Sequence, residues 1–421
     1  MFSTHMISRH IQHSCKFLIV GGGSGGCTMA AKLSKYERDV IMLEPNEKHY
    51  YQPMFTLIGG GMKTLSQSYC STKSLIPKNV SWIQDKVHSF NPKNNSVTIS
   101  NGDTIHYDYM VVSVGLQLNY EQITGLKEAL DSKDSGVCTN YSSQYVEKTY
   151  QVLQNFKSGN AIFTLPNTPI KCAGAPQKVM YITEDYLKKK GIRNKANIMY
   201  KTSTPALFSV KKYGRKLQQI CNMRNISIET RQNLIKINPT QKIATFEFLD
   251  EPNKVESVEY SMLHVTPPMS PPDVLIQSNL SNSAGYLDVD PYTLRHNIYG
   301  NIFGIGDCTS CPTSKTVAAV AAQSKVVHKN MINVINGKNM EEKYDGYTSC
   351  PIITSNNKCI LAEFNYDLKP LETFPINQGN ELHSMFLLKK DILPIIYWNL
   401  MLKGNWNGPK TIRKLMHFGL Y

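Results

Sequence analysis

The chain has 421 residues, more than one ordinary hydrophobic core accommodates, so its length favours two or three domains. Hydrophobic residues make up 41% and charged residues 19%, a globular composition that excludes wholesale disorder. The net charge of +14 leaves three settings open: nucleic acid, an anionic membrane, or an organelle that accumulates basic proteins. Ten cysteines are too few for a disulfide scaffold. No apolar stretch reaches the roughly 18 residues that a membrane span requires.

Residues 1–16 differ in composition from the rest of the chain. They contain two basic residues, three histidines and three serines, while the first acidic residue of the chain is Glu37. A basic, acid-poor leader without a long apolar centre is typical of a mitochondrial transit peptide rather than of a secretory signal. The alternative is a plain disordered tail. In either case, we expect residues 1–16 to lie outside the fold.

A dinucleotide-binding pattern follows directly. The apolar run at residues 17–20 predicts a strand, and Gly21, Gly23 and Gly26 then fit G-x-G-x-x-G before a predicted helix. A second apolar run ends in Glu44, 23 positions after Gly21. Glycines let the backbone approach a pyrophosphate at a helix N-terminus, and the acidic residue accepts hydrogen bonds from ribose hydroxyls. Strand, motif, helix, strand and acid in this order predict a dinucleotide site, against the alternative of a structural glycine turn.

A later segment indicates which dinucleotide binds. Residues 302–307 form an apolar run ending in Gly306 and Asp307, and a helix is predicted to start near Lys315. Together with the early glycines and the strand-like segment 107–115, this resembles the two-part FAD site of the disulfide-reductase-like flavoproteins. The resemblance implies that Asp307 bonds the ribityl chain and that the helix N-terminus faces the flavin, where it would favour an anionic reduced form.

The predicted middle domain lacks a second glycine motif. Most relatives of this type carry G-x-G-x-x-G there to bind nicotinamide. Here the strand at residues 161–165 leads into residues 166–176, which contain two prolines and a lysine but no such motif. NAD(P)H is therefore not the expected electron source.

Cys172 has the surroundings of a reactive thiol. It precedes a helix predicted to begin near Pro176, and Lys171 and Lys178 flank it. A helix N-terminus and nearby cations lower a thiol pKa and increase its thiolate fraction. Cys350 lies 178 residues later in a turn-like segment, and sequence distance alone does not show that the two thiols meet.

Cys308 and Cys311 form a rival pair. They make a C-x-x-C motif directly after Asp307, which is the more recognisable redox spacing. The pair nevertheless lies on the segment expected to hold the cofactor. The remaining cysteines have no motif and are interpreted as ordinary thiols.

Several blocks resemble the mitochondrial sulfide:quinone oxidoreductase family, over a likeness that runs from about residue 17 to the C-terminus. The blocks are Lys171–Lys178, His264–Pro272 and Tyr344–Pro351. The resemblance implies a sulfur-bridged redox couple of Cys172 and Cys350 beside the flavin. It also implies FAD contacts at Ser24, Gly25, Glu44, Gln52, Val87, Asp307, Lys315, Thr316, Val317 and Ala318, in addition to the glycine motif of Gly21, Gly23 and Gly26. Cys311 departs from the family pattern, and no metal ligands are implied.

The implied activity is FAD-dependent oxidation of hydrogen sulfide. Hydrosulfide is a soft nucleophile that can attack the sulfur bridge, leaving a persulfide on Cys350 and a thiolate on Cys172. Electrons then pass through FAD to ubiquinone, and an acceptor such as glutathione or sulfite removes the sulfane sulfur. The resting state of the couple stays open. His264 and Glu184 are candidates for a general base, although each is more often a structural residue.

The C-terminal residues 382–421 are the predicted membrane contact, because quinone is lipid-soluble. Their net charge is +5, and the apolar stretch 392–402 is too short to span a bilayer. Beyond it, apolar and cationic positions recur on opposite sides of a predicted helix: Ile412, Leu415, Met416 and Gly419 against Lys410, Arg413, Lys414 and His417. This pattern favours a helix lying in an anionic membrane interface. The family resemblance implies that this membrane is the inner mitochondrial membrane, on its matrix side. The alternative is packing against its own domain or a dimer partner.

The fold expected from these patterns is α/β, with two Rossmann-like domains of the FAD/NAD(P) type and a C-terminal membrane-associating helical segment. We expect an FAD domain at residues 17–125 and 280–338, a second domain at 126–279, and a C-terminal segment at 339–421. Two other functions stay open. A single-subunit NADH:quinone oxidoreductase would need the missing middle glycine motif. A flavoprotein binding nucleic acid would need basic clusters interleaved with aromatic residues, whereas the basic residues here are scattered, so no nucleic-acid partner is expected.

Overall fold

The computed structural model describes residues 11–420. Its strands, in chain order, are β1 Gln12–Val20, β2 Val40–Leu43, β3 Lys48–Tyr50, β4 Tyr69–Ser71, β5 Val80–Ile83, β6 Val87–Asn91, β7 Ser96–Ile99, β8 Thr104–Val112, β9 Gln117–Leu118, β10 Val137–Cys138, β11 Gly159–Leu165, β12 Ala196–Thr202, β13 Ile226–Thr230, β14 Gln232–Asn238, β15 Ile243–Phe248, β16 Val255–Glu259, β17 Met262–His264, β18 Met269–Ser270, β19 Ile302–Gly304, β20 Thr348–Ser355 and β21 Lys358–Phe364.

The helices lie between and after these strands. The α-helices are α1 Ser24–Leu33, α2 Phe55–Gly59, α3 Thr72–Leu75, α4 Leu126–Asp131, α5 Val146–Asn155, α6 Ala175–Lys189, α7 Lys211–Met223, α8 Asp273–Ile276, α9 Val317–Ile335, α10 His383–Leu387, α11 Leu393–Ile396 and α12 Lys410–Met416. Short 3₁₀ turns occupy Gln52–Met54, Leu65–Ser68, Pro92–Asn94, Tyr120–Gln122 and Arg193–Lys195. Two π-helical turns, Leu388–Ile392 and Tyr397–Met401, alternate with α10 and α11.

Seven strands form the first sheet, in the order β5-β2-β1-β8-β7-β6, with β19 also paired to β8. The pairs β1–β2, β1–β8, β2–β5 and β8–β19 are parallel. The two central strands end in continuous buried apolar residues, as expected of parallel strands covered on both faces. Strand β19 therefore brings the chain back to the sheet on which the glycine motif lies.

Strand β1 starts earlier than the sequence indicates. Gln12 pairs with Thr104 of β8, and Cys15 is buried against the same strand. The expectation that all of residues 1–16 lie outside the fold is therefore wrong for residues 12–16, because pairing with β8 recruits this polar segment into the sheet. Residues 1–10 of the predicted leader lie outside the described residues.

The second sheet is parallel throughout, in the order β10-β17-β11-β12-β13. An antiparallel sheet, β14-β15-β16, packs beside it and shares its core through Phe246 and Ile162. Both nucleotide-type sheets are thus mostly parallel and joined by helices, and the α/β prediction is confirmed. Helix α6 follows β11 and contacts strand β20 of the C-terminal part of the chain.

The C-terminal part begins with an antiparallel hairpin of β20 and β21. Cys350 lies on β20, opposite Ala362, and not in a turn as its flanking residues suggest. Gly346 does make the expected tight bend, at φ +83°, but the strand begins two residues later. Pro351 is tolerated on this strand because β20 has a partner on one side only.

Helix α12 is oriented differently from the prediction. Arg413, expected on the outer cationic side, is only 5% exposed, while Leu415 is 76% exposed. The helix ends at Met416, so His417 and Gly419 lie beyond it. Arg413 turns inward because a buried carboxylate, Glu363, lies 3.8 Å from its guanidinium. Within residues 11–420, no helix combines the length and apolar character needed to cross a bilayer.

Candidate active site

The glycine motif forms a tight turn between β1 and α1. Gly21 has φ +96°, and a Cβ on Gly26 would lie 1.8 Å from the Gly21 carbonyl oxygen. Only glycines fit such a close approach of helix and strand. The start of α1 consequently lies against the end of β1 and leaves its first backbone N–H groups for a ligand.

Glu44 stands beside this turn at the end of β2. Its Oε2 accepts a 2.6 Å hydrogen bond from the Gly22 backbone N–H, and its Oε1 accepts one of 2.8 Å from the backbone N–H of Asn46. Oε1 also accepts a 2.6 Å hydrogen bond from the Asn46 side-chain amide, so Oε2 is the oxygen that keeps a further acceptor position. The carboxylate is therefore held where the sequence motif predicts an acceptor for ribose hydroxyls.

A cavity of about 550 Å³ runs from this turn along the end of the first sheet to the C-terminal helices. Ten of the residues predicted to bind cofactor or sulfur line it: Gly23, Ser24, Gly25, Gln52, Cys172, Asp307, Lys315, Thr316, Val317 and Ala318. Within the described part of the chain, Gly21, Gly26, Glu44, Val87 and Cys350 are not part of its wall. Val87 is buried as the first residue of β6.

The second half of the cavity is built by the return of the chain to the first sheet. Asp307 follows β19, and burial raises the pKa of its carboxyl group, partly offset by Lys315 and Lys171. The N-cap Thr316 accepts a 3.1 Å hydrogen bond from the Ala319 N–H, so α9 starts at the cavity wall. A glycine cradle, a buried carboxylate and a helix N-terminus along one elongated cavity fit FAD.

Cys172 lies at the floor of this cavity in an uncommon backbone conformation. Its φ is +49°, which costs a non-glycine residue about 1 kcal/mol. The conformation is held from two sides. Its N–H donates to the Lys315 carbonyl at 2.9 Å, and its own carbonyl accepts from the Tyr141 hydroxyl at 3.1 Å. The turn that presents Cys172 is thus anchored to the loop that precedes α9.

The structure brings Cys350 to Cys172. The two thiols are near enough that each shifts the pKa of the other, and the Lys178 ammonium donates to the Cys172 sulfur at 3.2 Å. Cys350 packs under the turn before α6, since a Cβ on Gly174 would lie 2.6 Å from its sulfur. The two thiols are 178 positions apart in the sequence, and the packing of α6 against β20 brings them together. Sequence distance could not reveal this contact.

The two thiols differ in acidity. The hydrogen bond with Cys350 and the neighbouring Lys178 ammonium hold the pKa of Cys172 well below its ordinary value, against the effect of burial. The same hydrogen bond, together with burial, raises the pKa of Cys350 well above its ordinary value. Burial alone would lower the pKa of Lys178, but the adjacent thiols raise it. Cys172 is therefore the thiolate of the pair and Lys178 its counter-ion.

Lys389 was not singled out from the sequence. Burial, and then repulsion from Lys178, lower its pKa to about 8. It lines the cavity and donates to the Pro53 carbonyl at 2.8 Å. The short charged run at residues 389–391, between apolar residues on both sides, was the available signal. Lys171, also on the wall, has its pKa lowered to about 8 by burial.

The C-x-x-C pair occupies a different environment. Cys308 and Cys311 are both buried in the core of the first sheet and are absent from the cavity wall. Burial raises the pKa of Cys308 to about 11 and also raises that of Cys311. The Lys315 charge acts on both thiols, but among the described residues no ammonium donates a hydrogen bond to either sulfur, as Lys178 does to Cys172.

The two candidate bases lie away from the cavity wall. His264 is fully buried on β17, where its Nε2 accepts a 3.1 Å hydrogen bond from the Asn140 N–H, and burial lowers its pKa to about 3. Glu184 pairs with Arg193 at 3.7 Å and with Arg224 at 3.4 Å. Both have structural roles.

A buried polar network closes the far end of the cavity and was missed from the sequence. The Tyr347 hydroxyl donates to Glu363 at 2.5 Å, and Thr373 and Gln378 donate to the same carboxylate. Arg413 stacks over the Tyr347 ring with its Cζ 4.8 Å from the centroid. This end of the cavity is otherwise walled by apolar side chains of the C-terminal helices, among them Leu388, Ile392, Leu393 and Ile396.

Comparison with known proteins agrees with this geometry. Residues 15–153 match the family model described as pyridine nucleotide-disulphide oxidoreductase. The chain is 50% identical over 405 residues to the mitochondrial sulfide:quinone oxidoreductase of Mus musculus, covering 96% of this chain and 90% of the mouse protein. It is 42% identical over 409 residues to the mitochondrial sulfide:quinone oxidoreductase of Dictyostelium discoideum, covering 96% of this chain and 89% of that protein.

The fold is also similar to that of a solved bacterial structure. The X-ray structure of the sulfide:quinone oxidoreductase from the bacterium Aquifex aeolicus superposes with a TM-score of 0.80 at 20% identity, covering 97% of this chain and 95% of that one. These relatives are FAD-binding flavoproteins, and the cradle described above fits the same cofactor. The fold, the cofactor site and the extent of the sequence match agree: this chain belongs to the sulfide:quinone oxidoreductase family.

Proposed function

We propose that this protein oxidises hydrogen sulfide with FAD and passes the two electrons to a quinone, with Cys172 and Cys350 as the sulfur-handling couple. The observation that carries the proposal is the contact of these two thiols beside the Lys178 ammonium, at the floor of the cavity that fits FAD. The names of the relatives at 50% and 42% identity support the same pair of substrates.

The unequal acidity of the thiols sets the direction of the first step. Hydrosulfide attacks the Cys350 sulfur of the oxidised, sulfur-bridged couple. A bond from hydrosulfide to Cys350 forms, the bond to Cys172 breaks, and the electron pair leaves on Cys172. The lower-pKa thiol is the better leaving group, and the Lys178 ammonium stabilises the charge that appears on it. The products are a Cys350 persulfide and a Cys172 thiolate.

The couple is then restored by transfer of sulfur and electrons. An acceptor nucleophile, such as the thiolate of glutathione or sulfite, takes the outer sulfur of the Cys350 persulfide and leaves a second thiolate. The sulfur bridge closes again when the two thiolates give up two electrons. FAD, when bound in the cavity, would supply the two-electron redox chemistry that links the couple to the quinone. The chain holds Cys172 in position through its hydrogen bonds to Lys315 and Tyr141.

The apolar end of the cavity is the proposed quinone site. The C-terminal helices provide its wall, and the same helices expose apolar side chains outward, including Ile392 and Ile395. With Leu415 and the adjacent Phe418, these side chains suit contact with the acyl region of a bilayer without crossing it. We assign ubiquinone as the quinone and the matrix side of the inner mitochondrial membrane as the location. The mitochondrial relatives and the basic segment at residues 1–10 support this.

The proposal extends to the layout of the chain. The FAD domain comprises residues 17–125 and 280–338 together with the strand residues 12–16, the second domain 126–279 carries Cys172, and the C-terminal segment 339–421 carries Cys350. FAD contacts are assigned to the nine lining residues given above other than Cys172. They are also assigned to Gly21 and Gly26, to Glu44 and to Val87 at the start of β6.

Anaerobic addition of sulfide to the purified holoenzyme, with sulfite present as the acceptor of the sulfane sulfur, tests the proposal. We expect loss of the oxidised-flavin absorbance near-stoichiometrically with sulfide, and its recovery on addition of a short-chain quinone. NADH added in place of sulfide should leave the spectrum unchanged, because the loop after β11 has no pyrophosphate motif. An unchanged flavin spectrum with sulfide would refute the proposal. Bleaching by NADH alone would instead favour the function of an NADH:quinone oxidoreductase.

A further inference from the structure

A second cavity, of about 600 Å³, lies on the far side of α1 and shares no residue with the first. It is an open depression lined by the end of α1, the C-terminal half of α9, residues 341–342 and Gly404 of the loop 402–409. Three lysines line it: Lys32, Lys35 and Lys329. Lys32 and Lys35 lie at the end of α1 and in the turn that follows it, and the fold brings Lys329 of α9 beside them.

Lys32 and Lys35 are held in place by neutral acceptors. The Lys32 side chain, whose residue is only 7% exposed, donates to the Gly404 carbonyl at 3.1 Å and to Asn407 Oδ1 at 2.6 Å. Lys35 donates to the Lys403 carbonyl at 3.0 Å and to Asn405 Oδ1 at 2.9 Å. Among the described residues, neither ammonium forms an ion pair with a carboxylate. Each has three N–H donors, so each keeps one for a further acceptor.

The charges around the cavity do not balance. Lys329 and Lys325 share Glu342, and Glu341 is the only other carboxylate on the wall within the described chain. Three lysines on the wall, with Lys325 next to it, are therefore set against two carboxylates. His328 adds no charge at neutral pH, because burial and the neighbouring lysines lower its pKa to about 4. Burial, and then repulsion from Lys35 and Lys325, lower the pKa of Lys32 to about 8. An anion in the cavity would relieve this repulsion.

We propose that this cavity is a binding site for a phosphate ester. A phosphate group offers several oxygen acceptors around one centre, which matches ammonium donors that converge from α1 and α9. Lysine binds phosphate as a point charge and needs no planar, bidentate geometry. The cavity is large enough to take a phosphate together with a glycerol-sized group.

Two sources could supply this group. The loop 402–409, which contributes Gly404 to the wall, connects the helical turn Tyr397–Met401 to α12. Leu400 in that turn and Leu415 in α12 are both exposed. The phosphate of an anionic lipid headgroup would therefore enter beside side chains suited to acyl chains. A free phosphate ester in solution offers the same chemistry without the lipid contact.

The first arm of the test measures phosphate binding to the holoenzyme. Inorganic phosphate and sn-glycerol 3-phosphate are titrated calorimetrically at constant ionic strength, with chloride as the balancing anion. We expect saturable binding at one site, weakened at least about tenfold in the double variant Lys35→Gln/Lys329→Gln. The matched control, Lys93→Gln/Lys157→Gln, removes two exposed lysines elsewhere and should bind like the parent protein. Sulfide-dependent flavin reduction should be unchanged in both variants, which shows that each is folded.

The second arm distinguishes the sources with vesicle flotation. Vesicles of phosphatidylcholine alone are compared with vesicles containing phosphatidylglycerol. A lipid source predicts that Lys35→Gln/Lys329→Gln loses the preference for phosphatidylglycerol while the control variant keeps it. A soluble source predicts phosphate binding with equal flotation of both variants. The absence of saturable phosphate binding to the parent protein, together with equal flotation of the two variants, would overturn the proposal. If the double variant does not fold, Lys329→Gln alone, at an exposed position, replaces it.

Discussion

Two pairs of cysteines lie near the cofactor cavity, and they differ in whether one thiol of the pair contacts a cation and lines the cavity. Cys308 and Cys311 have the recognisable spacing, yet both are buried in the core of the first sheet with raised pKa values. Cys172 and Cys350 have no motif, but they meet beside Lys178 where the cavity ends. The nearness of a cation and an open cavity, rather than separation in sequence, decides which pair is reactive.

The largest expected effect on the rate of flavin reduction comes from removing Cys172 or Cys350, and it tests which of the two cysteine pairs is reactive. Cys172→Ser or Cys350→Ser should lower the rate of flavin reduction by sulfide at least about a thousandfold, because no sulfur bridge can form. Cys311→Ser is the matched control and should stay within about twofold of the parent protein. Stopped-flow absorbance under anaerobic conditions measures all three. The reverse pattern would assign the reaction to the C-x-x-C pair.

A smaller effect is expected from the counter-ion of Cys172. Lys178→Met removes the ammonium 3.2 Å from the sulfur, so the pKa of Cys172 rises toward its ordinary value. Each unit of rise lowers the thiolate population about tenfold at a pH below that pKa. We expect flavin reduction by sulfide to slow about tenfold at pH 7 and the pH–rate profile to shift to higher pH. Lys216→Met, on the exposed face of α7, should leave the profile where it was; an unshifted profile in Lys178→Met would contradict the role of the ammonium.

Direct alkylation tests whether Cys172 and Cys311 differ in acidity. In the reduced holoenzyme, the rate at which iodoacetamide modifies Cys172 should reach its plateau at a lower pH than for an ordinary thiol, because the pKa of Cys172 is lowered. Cys311 should react more slowly, with a rate that rises about tenfold per pH unit below its raised pKa. Peptide mass spectrometry follows both sites in one sample. Parallel pH dependences would show that the two environments do not differ.

The smallest effect concerns stability alone. Cys308 is fully buried in the first core, so Cys308→Ala should lower the free energy of unfolding by about 1 kcal/mol through lost packing. Cys70→Ala, at a half-buried position, should cost less. Denaturant titrations of the holoenzyme compare the two. A large loss of sulfide-dependent flavin reduction in Cys308→Ala, without a loss of stability, would speak against a purely structural role.

The cofactor half of the site was predictable because its signals are local. Glycines at fixed spacing, apolar runs that end in small residues, and acidic residues after two strands each specify a strand–turn–helix unit. Gly26, for example, is required by contact with Gly21, only five residues away. Such requirements are readable without any knowledge of distant packing.

The failures arise where distant residues decide the outcome. Residues 12–16 carry no strong strand pattern, and it is their pairing with β8 that makes them strand. Helical periodicity placed Arg413 among the outward cations, but the buried carboxylate of Glu363, fifty residues earlier, draws it inward. The meeting of Cys172 with Cys350 likewise depends on α6 packing against β20. Only the family resemblance anticipated that contact.

The inward anchoring of Arg413 has a consequence for how the C-terminal helix would meet a bilayer. Many amphipathic peptides fold only on the membrane and lose part of the binding free energy to chain ordering. Here α12 is already formed and tied to the hairpin, while Leu415 and the 92% exposed Phe418 face outward. Adsorption would then be a rigid-body event with little ordering entropy to overcome. The far-ultraviolet circular dichroism of the protein should accordingly show no gain of helix when vesicles are added.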